Sequence, residues 1–242
     1  MGIQAVFISR RAKIHRGKDG AAMRGLALGL VSAFALAGCA STPAPTISYR
    51  APPPPPPSSP NSYTTAPRAA VHSELFACNG GGGSNIGPIG ERGEAKLYTP
   101  YIYTAAGVLL RNPTETACLS SGFGWRGTAD GGGRQHNGMD LANADGGLVF
   151  AAGDGWVAFA DWRGGYGQVL EIDHGQGVMT RYAHLSESDP NLAPGSFVSA
   201  GAAVGRMGAT GNATGVHLHY EVSVDGLNID PLAYGSEPPP VS

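Results

Sequence analysis

From Ala117 onward the sequence predicts an all-β domain, a compact antiparallel sheet or barrel-like structure, on three observations. Short apolar runs recur, each bounded by glycine. The 242-residue chain holds 38 glycines and 19 prolines, a density that favours turns between short strands. No heptad pattern and no repeat of about 20 to 50 residues is visible, which excludes a coiled coil and a solenoid.

The elements follow in order. "GLVFAAGDGWVAFAD" reads as two strands around Gly153-Asp154-Gly155. Those two read as a hairpin, and "GQVLEIDHGQGVMTRYAHL" reads as another, turning at Gly175-Gln176-Gly177. "GSFVSAGAAVGRMG" supplies short strands between glycines, and "VHLHYEVSVDG" is the last convincing strand, closed by Asp230-Pro231. Side chains on a strand alternate between faces. His217, His219, Glu221 and Ser223 therefore share one face, and Leu218, Tyr220, Val222 and Val224 share the other. The second set is apolar apart from one phenol hydroxyl and belongs to a core. By the same rule Thr180, Tyr182 and His184 share a face.

The first forty residues read as an address. Six basic residues precede Gly25 against one acid, although the whole chain has a formal charge of −2. Without that block no basic stripe is left to follow a phosphate backbone, which argues against nucleic-acid binding. An apolar run of about a dozen residues follows, shorter than a membrane span and of signal-peptide length. It ends in Leu36-Ala37-Gly38-Cys39, which resembles a bacterial lipobox. Residues 1–38 are thus expected to be a lipoprotein signal peptide, with Met1 and Met23 both open as the start. Cys39 is then the lipidated N-terminus and an anchor to the bilayer. Ala40 follows it rather than an acid, which by analogy favours the outer membrane, facing the periplasm.

Residues 39–70, with six consecutive prolines at Pro52 to Pro57, are expected to be a disordered linker that no core can order. Residues 71–116 read as an N-terminal extension beside the main domain. Residues 117–235 are the β domain, and 236–242 a flexible tail. Of the remaining cysteines, Cys78 and Cys118 are candidates for a disulfide in an oxidising compartment. No CxxC is present to suggest a cysteine zinc site.

Five histidines fall in the β domain: His136, His174, His184, His217 and His219. His136 and Asp140 are four apart around Asn-Gly, in a glycine-rich stretch that reads as a loop able to wrap a small centre. A catalytic zinc takes three protein ligands and leaves one position for water. His136, Asp140 and one histidine of the last strand supply that set. His184 and the other strand histidine are then candidates for the general base. His174, at a hairpin turn, reads as a turn-packing or surface residue.

"GFGWR", "HNGMD", "TRYAHL", "GATGNATGVHLHYEV" and "DPLAY" together resemble the lysostaphin/LytM family of zinc endopeptidases, over about Ser120 to Tyr234. The resemblance implies a LytM (duplicated hybrid motif) fold with an open groove and one zinc ion per domain. It implies His136, Asp140 and His219 as zinc ligands and His184 and His217 as the catalytic pair, without deciding which of the two does what. It also implies peptidoglycan as substrate, cut in stem peptides or cross-links. The competing expectation is a non-catalytic module that binds the wall or activates an amidase. All five key positions are present, which favours the enzyme. By analogy with latent relatives, Asn79 or Gly80–Gly83 could lie in the groove and inhibit; a flexible linker is the simpler expectation.

Overall fold

The computed structural model describes residues 68–80, 83–127 and 132–237. The targeting segment, Cys39 and the proline run lie outside the described residues, as do Gly81, Gly82 and the end of the tail. Among the described residues there are fourteen strands and no α-helix, and every strand pair is antiparallel. The expected all-β antiparallel class is what the structure shows.

Two hairpins stand apart: β1 (Tyr101–Thr104) with β2 (Gly107–Leu110), and β4 (Gly124–Gly127) with β5 (Gly133–His136). The other ten strands form one sheet. They are β3 (Cys118–Ser121), β6 (Met139–Ala142), β7 (Leu148–Phe150), β8 (Gly155–Trp162) and β9 (Gln168–Gly175). After them come β10 (Val178–Ser188), β11 (Phe197–Val198), β12 (Ala203–Met207), β13 (His217–Val224) and β14 (Leu227–Ile229). The main path runs β11-β8-β9-β10-β13-β6-β3, with β14 paired to β13 and β12 joining β10 to β7.

The alternation on β13 holds. Leu218, Tyr220 and Val222 are fully buried. Tyr220 meets Tyr182 of β10 with ring centroids 5.5 Å apart. Met139 and Leu141 of β6 join the same core. Each such side chain contributes about 1.5–3 kcal/mol by leaving water.

Four expectations need correction. β7 and β8 do not form a hairpin: β7 pairs with β12, and β8 with β9 and β11. Alternation identifies strands but carries no information about partners. A further strand, β14, follows the one read as last, across Asp225-Gly226. Both turn residues have positive φ (51° and 78°), as a tight two-residue hairpin requires. The HxxxD stretch is not a wrapping loop. His136 ends β5 and Asp140 lies within β6, and Gly138 serves close approach: a Cβ there would sit 2.2 Å from the Tyr220 carbonyl oxygen.

The fourth correction concerns β10. Thr180 and Tyr182 face the core, where Tyr182 stands opposite Tyr220. His184 does not join them. It adopts a left-handed backbone (φ 60°), and the register on β9 shifts between Tyr182 and Leu185. That break turns the imidazole to the opposite face.

The extension is part of the fold rather than a neighbour of it. Leu75, Ala77, Ile86, Ala95, Ile102 and Leu109 lie in the same core cluster as β13 and β6. Parallel bridges Ala77↔Leu119 and Ser84↔Ser121 lay it along the free side of β3. Cys78 and Cys118 are joined in a disulfide, with Cα atoms 5.0 Å apart. A bridge of this kind typically stabilises by about 2–4 kcal/mol. Fully buried Arg111 ties the extension to the C-terminal "DPLAY" stretch, donating to the carbonyl oxygens of Thr99 and Tyr101 (2.7 Å each) and Pro231.

Candidate metal centre and active site

Three neighbouring elements converge on one point. β5 brings His136, β6 brings Asp140 and β13 brings His219, which stands directly opposite Asp140 in the ladder. All three side chains are buried. His136 Nε2 lies 3.1 Å from Asp140 Oδ1 and 3.0 Å from His219 Nδ1, and His219 Nδ1 lies 2.8 Å from Asp140 Oδ1. They are the one His/Cys/Asp/Glu group of metal-binding geometry among the described residues.

The outward-facing atoms of these three side chains are already engaged. His136 Nδ1–H donates to the Gly122 carbonyl oxygen at 2.6 Å, and His219 Nε2–H donates to Glu221 Oε1 at 2.9 Å. Arg126 Nη2 donates to Asp140 Oδ2 at 2.7 Å. Arg126 Nη2 also lies 2.6 Å from His136 Nδ1, but that nitrogen has one bonding direction and gives it to Gly122. With both outer N–H groups used, the convergent atoms are two imidazole lone pairs and a carboxylate oxygen. Lone pairs this close repel unless a cation or proton sits among them. Tetrahedral zinc with bonds of 2.0–2.1 Å would separate its ligands by about 3.3 Å, close to the triangle found. The donor set therefore fits a zinc ion. Outer partners of this type orient metal ligands and select the tautomer.

Burial alone would raise Asp140, but hydrogen bonds from His136 and His219 outweigh it and hold the carboxyl well below the usual range. Burial likewise works against protonated His219, yet its bonds to Asp140 and Glu221 raise it above the ordinary histidine value.

His184 and His217 flank the cluster with ring centroids 4.7 Å apart. His184 Nδ1–H donates to the Thr210 carbonyl oxygen at 2.8 Å, and His217 Nδ1–H to that of Gly215 at 2.9 Å. Each ring is thereby fixed with Nε2 free, and His217 Nε2 lies 3.7 Å from Asp140 Oδ1. Burial lowers His184 below the ordinary histidine value, which keeps its Nε2 a proton acceptor at neutral pH. Thr210 is itself pinned: its hydroxyl donates to the Leu185 carbonyl oxygen at 2.7 Å and accepts from the Gln168 amide at 3.0 Å. All five residues open onto one cleft of roughly 290 Å³, walled also by Arg126, Tyr166 and Asn212.

The arrangement can hold a metal ion and, beside it, accept and donate a proton through two oriented imidazoles.

Residues 134–231 match the family described as Peptidase family M23. This stretch of the chain is similar to an M23 peptidase domain. Among curated relatives, the DD-carboxypeptidase/endopeptidase Mpg of Neisseria meningitidis is 42% identical over 100 residues, covering 41% of this chain and 23% of Mpg. The peptidoglycan DD-endopeptidase ShyA of Vibrio cholerae is 40% identical over 97 residues, covering 40% of this chain and 22% of ShyA. The Escherichia coli lipoprotein YgeR is 37% identical over 116 residues, covering 46% of this chain and 44% of YgeR. The chain thus spans less than half the length of each of these relatives.

Within the matched residues the structure brings together His136, Asp140, His184, His217 and His219, and leaves His174 out. His174 Nδ1 donates to the Asp154 carbonyl oxygen at 2.7 Å and its Nε2 lies 2.8 Å from Thr180 Oγ1, a turn-packing role. Asn79 lies beside the disulfide, against Cys118 and Ala142, and neither it nor Gly83 lines the cleft. Sequence reasoning gave no role to Arg126, Tyr166, Thr210 or Glu221. A signal existed for two of them. Arg126 closes the "GFGWR" motif, and Glu221 shares the face of the two strand histidines.

Proposed function

We propose that this chain is a zinc-dependent endopeptidase that hydrolyses peptide bonds in peptidoglycan stem peptides or cross-links, for cell-wall remodelling. The observation that carries the reading is the pairing of a three-donor cluster with two imidazoles whose Nε2 atoms are free at the same cleft. The peptidoglycan assignment draws on the named activity of ShyA and on the motif resemblance. His136 Nε2, Asp140 Oδ1 and His219 Nδ1 would hold the zinc ion. When bound there, zinc would bring the pKa of water to about 7 and polarise a scissile carbonyl. His184, kept neutral by burial, accepts the proton at Nε2. His217 also turns Nε2 to the cleft and, in its doubly protonated form, would donate from there to charge that develops on the substrate. Asp140, whose second oxygen is held by Arg126, presents one oxygen to the centre.

An envelope location fits this substrate, and the lipoprotein YgeR is among the relatives. We propose further that Cys39 is lipidated and tethers the domain to the outer membrane, facing the periplasm, across the proline-rich segment. Fatty-acid labelling of the cells, lost in Cys39→Ala, checks this.

The enzyme is tested with His219→Ala and His217→Ala in the soluble protein, measuring bound zinc and peptides released from purified peptidoglycan by mass spectrometry. His219→Ala is expected to lose metal. His217→Ala is expected to keep it and lose cleavage. A wild type that holds zinc but releases nothing would support the non-catalytic module instead.

A further inference from the structure

Glu221 is among the most thoroughly buried charged side chains of the described residues, at 2% exposure, and it lies two residues beyond His219 on the same face of β13. Burying a carboxylate is costly unless it is paired and hydrogen-bonded. Here both oxygens are engaged. Oε1 accepts from His219 Nε2 at 2.9 Å and from the Tyr166 hydroxyl at 2.8 Å. Oε2 accepts from Arg181 Nη1 and from Asn228 Nδ2 at 3.2 Å. Arg181 is held in turn by Glu171, whose Oε1 accepts from Arg181 Nε at 2.6 Å and from Arg163 Nη1 at 2.9 Å.

This row follows the ladder register. Glu171, Arg181 and Glu221 face one another across β9, β10 and β13. Alternating charges therefore cross three strands and end on the ring of His219. Burial works against the Glu221 carboxylate, but the hydrogen bond from His219 and the nearby Arg181 charge keep it ionised.

We propose that Glu221 is a positioning residue for the metal centre. Its Oε1 fixes His219 as the Nε2–H tautomer, so that the Nδ1 lone pair points at the metal, while Tyr166 and Arg181 hold the carboxylate in place. The proposal rests on the metal centre inferred above. The two histidine ligands need opposite tautomers: His136 binds through Nε2 because Gly122 takes its Nδ1–H, and His219 binds through Nδ1 because Glu221 takes its Nε2–H. Loss of Glu221 frees His219 to move its proton to Nδ1 and rotate. Arg181 would keep Glu171 as a partner and so retain one of its two cross-strand ion pairs.

The test compares zinc affinity, by competition with a chromophoric chelator, in wild type, Glu221→Gln, Glu221→Ala, Tyr166→Phe and Glu171→Gln. Melting of each metal-free protein reports the fold. The wild type must bind zinc; if it does not, the metal-centre reading fails, separately from this one. Glu221→Ala is expected to bind about 10- to 100-fold more weakly. Glu221→Gln, which keeps an acceptor but no charge, should fall between it and wild type. Tyr166→Phe should weaken binding by a few-fold, and Glu171→Gln, which does not touch His219, by less than twofold. Histidine 15N spectra of the metal-free protein at alkaline pH should show His219 as a single Nε2–H tautomer in wild type and as a mixture in Glu221→Gln. Affinity within twofold of wild type in both Glu221→Gln and Tyr166→Phe overturns the proposal, even if Glu221→Ala fails to fold. So does an equal loss in Glu171→Gln, which would make the row a general structural brace.

Discussion

Strands β10 and β13 lie side by side, and each delivers a histidine to the same cleft by a different device. On β13 the delivery follows simple alternation: His217 and His219 face the cleft while Leu218 and Tyr220 fill the core. On β10 the alternation points the wrong way. Tyr182 is a core residue opposite Tyr220, so a regular strand would send His184 inward beside it. The left-handed backbone at His184 reverses the face and lets Thr210 capture its Nδ1–H. A non-glycine residue in that conformation costs about 1–2 kcal/mol, which the surrounding hydrogen bonds must offset. Regular alternation thus suffices to bring His217 and His219 to the cleft, whereas His184 needs a local break in its strand.

That contrast can be tested from its strongest consequence downward. The largest effect is expected on β13: His219→Ala removes a ligand, so both retained zinc and peptide release should fall to background. On β10, His184→Ala should retain zinc and lose about 10²–10⁴ in hydrolysis rate, the usual contribution of a positioned acid–base group. Loss of zinc in that variant would make His184 a ligand and erase the distinction.

The core side of β13 should answer differently. Leu218→Ala is expected to cost about 2–5 kcal/mol in denaturant unfolding while zinc stoichiometry stays at wild type. Next in size is the strain at His184. His184→Gly and His184→Ala should be equally inactive, but the glycine variant should be the more stable by about 1 kcal/mol, because only glycine adopts that backbone freely. Equal stabilities would mean that the left-handed turn is not strained.

The effect furthest from the cleft concerns His174, on β9. Burial lowers His174 below its ordinary value of 6.5. The stability its neutral form contributes is therefore fully present above pH 6.5 and lost as pH falls through the lowered folded-state value. His174→Gln should destabilise most at pH 7 and above and progressively less under acid conditions, by about 1.4 kcal/mol for each unit of depression. A destabilisation independent of pH would remove titration from the account.

Much of this site was legible because its chemistry lies in residue types at fixed spacing. HxxxD and HxH need only short stretches of chain, and alternation on β13 put both strand histidines on the polar face. The turn at Asp225-Gly226 was equally legible, as an Asp-Gly pair between apolar runs, although β14 itself was passed over. Two features lie beyond period-two alternation. It puts His184 with Tyr182 because it assumes an unbroken strand. It also suggests a β7–β8 hairpin, although adjacency in sequence is not adjacency in space.

Beyond Arg126 and Glu221, the outer contacts of the candidate ligands were not legible. The carbonyls of Gly122, Thr210 and Gly215 carry no side-chain signature, and Tyr166 reaches Glu221 from 55 positions away. The extension illustrates the same limit. Its apolar residues were visible, yet their membership of the common core, and the contact of Ser84 and Asn85 with Gly122 behind His136, depend on long-range packing.

The sequence by itself determined an all-β domain and its candidate ligands, because strand periodicity and motif spacing are local properties of the chain. Tertiary structure alone decided which nitrogen of each imidazole faces the centre. Tautomer and ring orientation are set by the partner on the far side of the ring, and those partners arrive from other strands and loops.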